Sequence, residues 1–393
     1  MIQRIIILIF ILILLPEFYS SLIHRKRHAS WPQWRRLLRW LPATIMLIIA
    51  VWLALPSEFI PEETTLLFAF VGVLCTIFIP RFFYMLSSVV GRAVKIMRHG
   101  SKNWGNLVGF ILAIMIGAAS LYGFTIGPNR LKVKHIDITS SRLPEAFDGY
   151  RILHFTDIHL GSARQSFVKK VVDSICSQHA DMVAFTGDLL NVHPNELYRF
   201  INEMKRINAP DGVFSVLGNH DYSFYQGHID DAIRIANERE VISREQQMGW
   251  TMLNNSHATI SRGNETIVVA GMENYGKKEK HRRGDINNTL EGAPKDKFTI
   301  MLEHDPWAWR NIILPDSLAD VTLSGHTHGG QISLFGLRPT MLTEPNDYGL
   351  HHKSNAYLNV SSGTGGLVPF RLGMTPEIVV ITLHSSKKKK IIE

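Results

Sequence analysis

Cysteine is nearly missing from this chain, with two in 393 residues, Cys75 and Cys176. The first lies in an apolar run and the second in the amphipathic stretch FVKKVVDSICSQ, so no disulfide between them is expected and both read as buried apolar residues. Beyond residue 129 there is no internal repeat. That part also lacks a basic stripe: its cationic runs are KKEKHRR (277–283) and the tail KKKK (387–390). Both read as solvated loop and tail, so no nucleic-acid partner is expected. An apolar run follows Arg4, but no A-x-A-like cleavage site comes after it, which favours a retained helix over a signal peptide.

Long apolar runs, by contrast, are abundant. They cover residues 5–15, 41–55, 64–80 and 104–126. With their flanks the last three are long enough for a hydrocarbon core of about 30 Å, and the first reads as a short span extended by Phe18 and Tyr19. Four retained helices are expected. Charge divides at the same place: residues 1–129 hold 12 Lys and Arg against 4 Asp and Glu, and residues 130–393 hold 30 against 30. The net charge of +8 therefore belongs to the apolar region.

Orientation follows from where those charges lie. Arg25, Lys26, Arg27, Arg35, Arg36 and Arg39 separate runs one and two; Arg81, Arg92, Lys95, Arg98 and Lys102 separate runs three and four. Only Glu58, Glu62 and Glu63 lie between runs two and three. The positive-inside rule makes both basic loops cytoplasmic and the remainder of the chain extracytoplasmic, although Arg130, Lys132 and Lys134 then sit outside. The expected division is a membrane region (1–129), a linker or first strand (130–149), an α/β domain (150–384) and a basic tail (385–393).

From residue 150 short apolar runs alternate with helix-like stretches. RILHFTD, DMVAFTGD, GVFSVLGNHD, TIVVAGM, FTIMLEHD, DVTLSGHTH, AYLNVSSG and EIVVITL read as strands, and helices are expected near 166–179 and 194–207. In such an α/β domain ligands gather at the carboxyl ends of strands. Five of these ends carry groups able to bind metal: Asp157 with His159; Asp188; Asn219, His220 and Asp221; His304; and His326 with His328. If the last pair continues its strand, both rings face one point. His154, in mid-strand, reads as a core histidine. The match of Gly271, Met272 and Glu273 to a further turn at the site is loose, and 274–297 reads as a solvated loop.

The motifs DIH, GDLLN, GNHD, EHDP and GHTHGG, in this order, resemble the calcineurin-like metallophosphoesterase superfamily over about residues 150–384. GHTHGGQI and the ending GTGG…PFRLGMTPEIVVITL look like its bacterial membrane-anchored branch, which includes the YkuE- and YaeI-type phosphodiesterases. The resemblance implies a two-sheet αββα sandwich behind transmembrane helices in a bacterial cytoplasmic membrane. It also implies two divalent ions, one held by Asp157, His159 and His328, the other by Asn219, His304 and His326, with the two carboxylate oxygens of Asp188 spanning both. Mixed carboxylate, amide and imidazole donors suit Mn, or Fe or Zn, better than Mg or Ca. A water shared by two such ions attacks phosphorus near neutral pH. His220 is implied beside the leaving group, as an acid or as a stabiliser of its charge, with Asp221 orienting its ring.

The resemblance implies a phosphodiester substrate, and because the apolar region ends about 20 residues before the first catalytic strand, a lipid-linked one is the class expected. Two other readings stand beside this one. One is a cytoplasmic-facing pyrophosphatase cleaving a nucleotide-diphospho-sugar lipid. The other is a membrane receptor or scaffold that keeps the metal fold without turnover.

Overall fold

A computed structural model of the protein describes residues 2–23, 31–55, 64–227 and 229–386. The expectations placed on Arg25, Lys26, Arg27, Glu58, Glu62, Glu63 and the tail at 387–393 lie outside these residues. The chain forms two compact units, Met1–Ile126 and Gly127–Glu393.

Among the described residues three helices are long and apolar enough to cross a membrane: Ile2–Ile23, Thr65–Met97 and Gly105–Asn129. The first apolar run is thus not a short span, because its helix continues through Pro16 to Ile23. The second run forms a helix over Leu41–Ala54. Fourteen residues at 1.5 Å each give about 21 Å, most of a bilayer core, before the chain passes at residue 56 into the stretch 56–63 outside the described residues. Glu17 is buried among these apolar helices and forms an ion pair with Arg81, which compensates the carboxylate. Nearby, the Tyr19 and Ser88 hydroxyls lie 2.6 Å apart.

The second unit holds twelve described strands in two mixed sheets. They are β1 (Lys132–Ser140), β2 (Tyr150–Phe155), β3 (Met182–Phe185), β4 (Val213–Ser215), β5 (Thr251–Met252), β6 (Ser256–Arg262), β7 (Glu265–Gly271), β8 (Thr299–Leu302), β9 (Val321–Ser324), β10 (Gly349–Lys353), β11 (Ala356–Val360) and β12 (Glu377–Ser385). One sheet has the order β1-β12-β2-β3-β4-β5 and the other β10-β11-β9-β8-β7-β6. Strands β2 to β5 run parallel, as do β7, β8, β9 and β11.

Each central strand is buried on both faces, which is why it reads as an unbroken apolar run. Ile152, Ala184 and Phe214 face Val269, Ile300 and Leu323 across the gap between the sheets. On the outer face of the first sheet, Leu153 and Phe185 pack with Val168, Val172 and Ile175 of the helix Gln165–Cys176. Beyond the second, Val268 and Met301 pack with Trp309 and Ile313. The layers are therefore αββα, as the sequence implies.

All eight expected strands are present. The sequence pattern does not resolve β5, β6 and β10, which are short or lie at sheet edges, or the helix Asp231–Gln247, whose polar residues hide its period. The helix expected at 194–207 is a 3₁₀ segment, Pro194–Phe200, followed by the short helix Ile201–Met204.

Candidate metal centre

The parallel strands β2, β3, β4, β8 and β9 bring their carboxyl ends together, and the candidate residues meet there. Asp157, His159 and His328 form one group, and Asp188, His304 and His326 a second. In the first, the Nε2 atoms of His159 and His328 are 3.3 Å apart, and His328 Nε2 lies 3.4 Å from an Asp157 oxygen. In the second, His304 Nε2 lies 3.2 Å from Asp188 Oδ2 and 3.3 Å from His326 Nδ1. The same Oδ2 is 3.7 Å from His159 Nε2, so one carboxylate oxygen faces both groups. Its partner Oδ1 accepts the His220 backbone N–H at 2.9 Å. Asp188 thus lies between the two groups, where the sequence expectation puts a bridging carboxylate, with Oδ2 the atom nearest both.

These donors fit cations. Burial pulls the His159 and His328 imidazoles down to about 3, which favours the neutral rings that ligate metal. Their Nε2 atoms and the Asp157 carboxylate converge on one point, a donor set that suits a cation. Burial opposes the charge of Asp188, yet His304 and then His220 hold its carboxyl well below the usual range. His304 Nδ1 lies 2.7 Å from the Thr186 carbonyl and donates to it, which leaves Nε2 as the inward donor atom.

Asn219 is flanked in the chain by two residues that touch Asp188. A Cβ on Gly218 would lie 2.2 Å from Asp188 Oδ1, so only glycine lets this loop approach. The Asn219 amide nitrogen donates to the Tyr225 hydroxyl at 2.9 Å, and its buried Oδ1 has no hydrogen-bond partner. A buried acceptor without a partner is costly, and a cation satisfies it. Replacement of Tyr225 by Phe removes the hydroxyl that orients this amide and should weaken one of two bound Mn²⁺ ions by about 10- to 100-fold, the scale of outer-sphere changes. Calorimetric titration checks it, and two unchanged sites would refute it.

The backbone bends sharply at these positions. Asp157, His159, Asp188, His326 and His328 all have φ between 51° and 71°. Each such non-glycine residue costs roughly 1–3 kcal/mol, a strain that surrounding structure must sustain and that concentrates at functional sites. The strain also corrects the reading of HxH as alternate residues of one strand. Strand β9 ends at Ser324, and the two left-handed residues turn His326 toward His304 and His328 toward His159. A Cβ on Gly325 would lie 2.1 Å from Asp157 Oδ2.

His220 sits beside both groups, its ring centre 4.9 Å from that of His159. Its Nδ1 lies 2.6 Å from the Asn191 carbonyl and donates to it, which leaves Nε2 for a partner outside the protein. Asp221 does not orient this ring, contrary to the sequence reading. Its carboxylate instead accepts backbone N–H groups of Asp188, Leu190 and Gly218 and so fixes the loops that carry the ligands.

Other assignments divide. His154 is a core residue, within hydrogen-bond distance of Thr186 and Asn359. Glu273 accepts from Asn255 at 2.6 Å and braces a neighbouring loop. The segment 274–297 is less solvated than its composition suggests: His281 is buried and stacks on Phe224, and Arg282 lies over the rings of Tyr275 and Trp307. Two contributors escape sequence reasoning. Glu196 accepts the N–H groups of Gly161, Asn191, Val192 and His193. Arg371, buried, donates to the Ser362 carbonyl at 2.7 Å and reaches the His328 carbonyl at 3.5 Å. A lone arginine in a glycine-rich apolar ending was the only available signal for it.

An αββα sandwich with two histidine and carboxylate groups at the strand ends defines a metallophosphoesterase, and comparison with known proteins agrees. Residues 150–330 match the family described as calcineurin-like phosphoesterase. Residues 3–128 match a family described as the transmembrane domain of a probable calcineurin-like phosphoesterase. An uncharacterized metallophosphoesterase of Helicobacter pylori is 30% identical over 295 residues, covering 73% of this chain and 72% of that protein. The uncharacterized metallophosphoesterase YkuE of Bacillus subtilis is 28% identical over 71% of this chain and 96% of its own length. A transmembrane protein with metallophosphoesterase domain from Danio rerio is 27% identical over 70% of this chain, which spans 63% of it. A solved dimetal phosphatase from Danio rerio is similar at 12% identity and a TM-score of 0.35, over 56% of this chain and 90% of that one. The chain belongs to the calcineurin-like metallophosphoesterases and carries an N-terminal transmembrane region.

Proposed function

We propose that the protein is a membrane-anchored two-metal phosphodiesterase of a bacterial cytoplasmic membrane. Asp157, His159 and His328 hold one ion, Asn219, His304 and His326 the other, and Asp188 bridges them. The observation that carries this reading is Asp188 Oδ2 between His159 Nε2 and His304 Nε2. When bound, two divalent ions, Mn or else Fe or Zn, supply the positive charge that lets water attack phosphorus near neutral pH. The neutral rings of His159 and His328 serve as ligands without first losing a proton. Nε2 of His220, left free because Nδ1 donates to the Asn191 carbonyl, would carry the proton that the leaving oxygen takes up, the ring returning to its neutral Nδ1–H form. Arg371 and Asp221 keep the ligand loops from relaxing.

A lipid-linked phosphodiester is the substrate class this reading favours. The last apolar helix ends at Asn129 and β1 begins at Lys132, so little chain separates the catalytic unit from the membrane region. Metal-dependent hydrolysis of bis(p-nitrophenyl) phosphate and of a phospholipid panel by the full chain tests the proposal, and absence of metal-stimulated hydrolysis of either would favour a non-catalytic receptor.

Orientation has its own test. With the basic loops inside and four crossings, the catalytic unit lies outside, and protease added to intact spheroplasts should digest it while sparing the loop at 81–103. Protection of the catalytic unit would reverse the orientation and bring a nucleotide-diphospho-sugar lipid forward as substrate.

A further inference from the structure

Just beyond the metal centre the chain exposes a cluster of large apolar side chains. Leu334 and Leu337 close a two-residue hairpin through backbone hydrogen bonds of 3.0 Å in each direction. Phe335 and Gly336 form its tip with φ of 53° and 84°. Two positive φ angles make this the kind of turn that asparagine or aspartate with glycine usually occupies, and a bulky residue there is strained. Yet Phe335 is 105% exposed and packs on nothing. Leu337 and Leu342 are 70% and 90% exposed, and Leu334 and Met341 about half so. Folding of the domain gains nothing from a strained, bare phenylalanine, and contiguous exposed apolar groups mark a contact surface.

The partner is indicated by what lies at the hairpin's base. Ser333 donates to the Leu372 carbonyl at 2.7 Å. The preceding residue, Arg371, presses against Gly127, where a Cβ would lie 1.9 Å from the Arg371 carbonyl oxygen. Gly127 directly follows the apolar helix segment Gly105–Thr125 and its C-cap Ile126. The base of the hairpin therefore lies beside Gly127, the residue at which the chain enters the catalytic unit. A cation lies near its base: Lys134 is over the ring of Tyr348 at 4.8 Å, on which Arg338, already paired with Asp347, also lies at 5.4 Å. An apolar tip beside a lysine suits a surface of acyl chains under anionic headgroups.

We propose that Ser333–Leu342 is a membrane-docking hairpin that buries Phe335 and its leucine neighbours in the bilayer surface next to His328, so that the metal centre receives phosphoesters presented at that surface. The docking rests on the membrane-anchored reading and narrows its substrate class. The full chain carrying Cys75→Ala, Cys176→Ala and Phe335→Cys, labelled with an environment-sensitive fluorophore, is placed in phosphatidylcholine–phosphatidylglycerol vesicles. Its emission should shift to the blue and be quenched by nitroxides on the acyl chains. The same label at Asp296→Cys, an exposed position before β8 and so at the opposite strand ends, should stay in water.

In parallel, Leu334→Ser/Phe335→Ser/Leu342→Ser should keep hydrolysis of bis(p-nitrophenyl) phosphate and lose about tenfold on vesicle phospholipid, the loss expected when interfacial apolar contact is removed. A label at 335 that behaves like the one at 296 overturns the docking surface whatever the substrate. A label shielded from water but not quenched, in particles of doubled mass, identifies a second copy of the chain as the occupant and overturns it as well. Quenching at 335 with no phospholipid hydrolysed leaves the docking surface standing and removes the lipid-substrate reading.

Discussion

Asp188→Asn should abolish the two-metal centre while leaving the sandwich folded. The substitution keeps shape and retains an oxygen for the His220 N–H, which Asp188 Oδ1 now accepts at 2.9 Å. What it removes is the negative charge at Oδ2, the atom shared by the His159 and His304 groups. Loss of that charge should cost more than the roughly 10- to 100-fold that outer-sphere changes cause in affinity or activity, because under the proposed ligand set both ions would lose a direct ligand. Metal content by mass spectrometry should fall below two ions per chain, and turnover should fall close to background. Added Mn²⁺ should raise the melting temperature of the wild type and move that of the variant less, since an ion stabilises only the fold that binds it. Two ions and normal turnover in the variant would remove the bridging role.

His220→Ala should produce the opposite pattern, full metal with little chemistry. His220 contributes its backbone N–H to Asp188 and its ring Nδ1 to the Asn191 carbonyl, and alanine retains the first of these. Both ions should remain, and turnover should drop by roughly 10²- to 10⁴-fold, the range of general acid catalysis. Alkyl leaving groups need the proton most and nitrophenolate least, so the loss should shrink as the leaving group improves. A uniform loss across leaving groups would make His220 a stabiliser of phosphoryl oxygens, and a missing ion would make it a ligand.

Much of the fold is legible in the sequence because β2, β3, β8 and β9 are buried on both faces and leave unbroken apolar runs. The site is legible for a related reason: parallel strands end on one edge, so polar groups that follow those runs converge whatever the loops do. Strands β6 and β10, at the sheet edges, alternate weakly and leave little trace. The role of Arg371 leaves little, since the His328 carbonyl it reaches is 43 residues away, while Tyr225 and Glu196 act within six residues on Asn219 and His193 in loops that carry no periodic pattern.

Local pattern and composition carried the α/β class, the apolar N-terminal region and the set of candidate ligands, and the resemblance of the motifs added the family and its αββα sandwich. The resemblance already divided those ligands between two ions, and tertiary structure supplied the geometry that does it. Left-handed turns at His326 and His328 send the two histidines to different groups, and one oxygen of Asp188 faces both. It also moved Asp221 from the ring of His220 to three backbone N–H groups, and left Phe335 bare at a hairpin tip. A side chain's partner is set by the path of the backbone through positive φ and by contacts across more than 100 residues, and neither is encoded in the spacing of a motif.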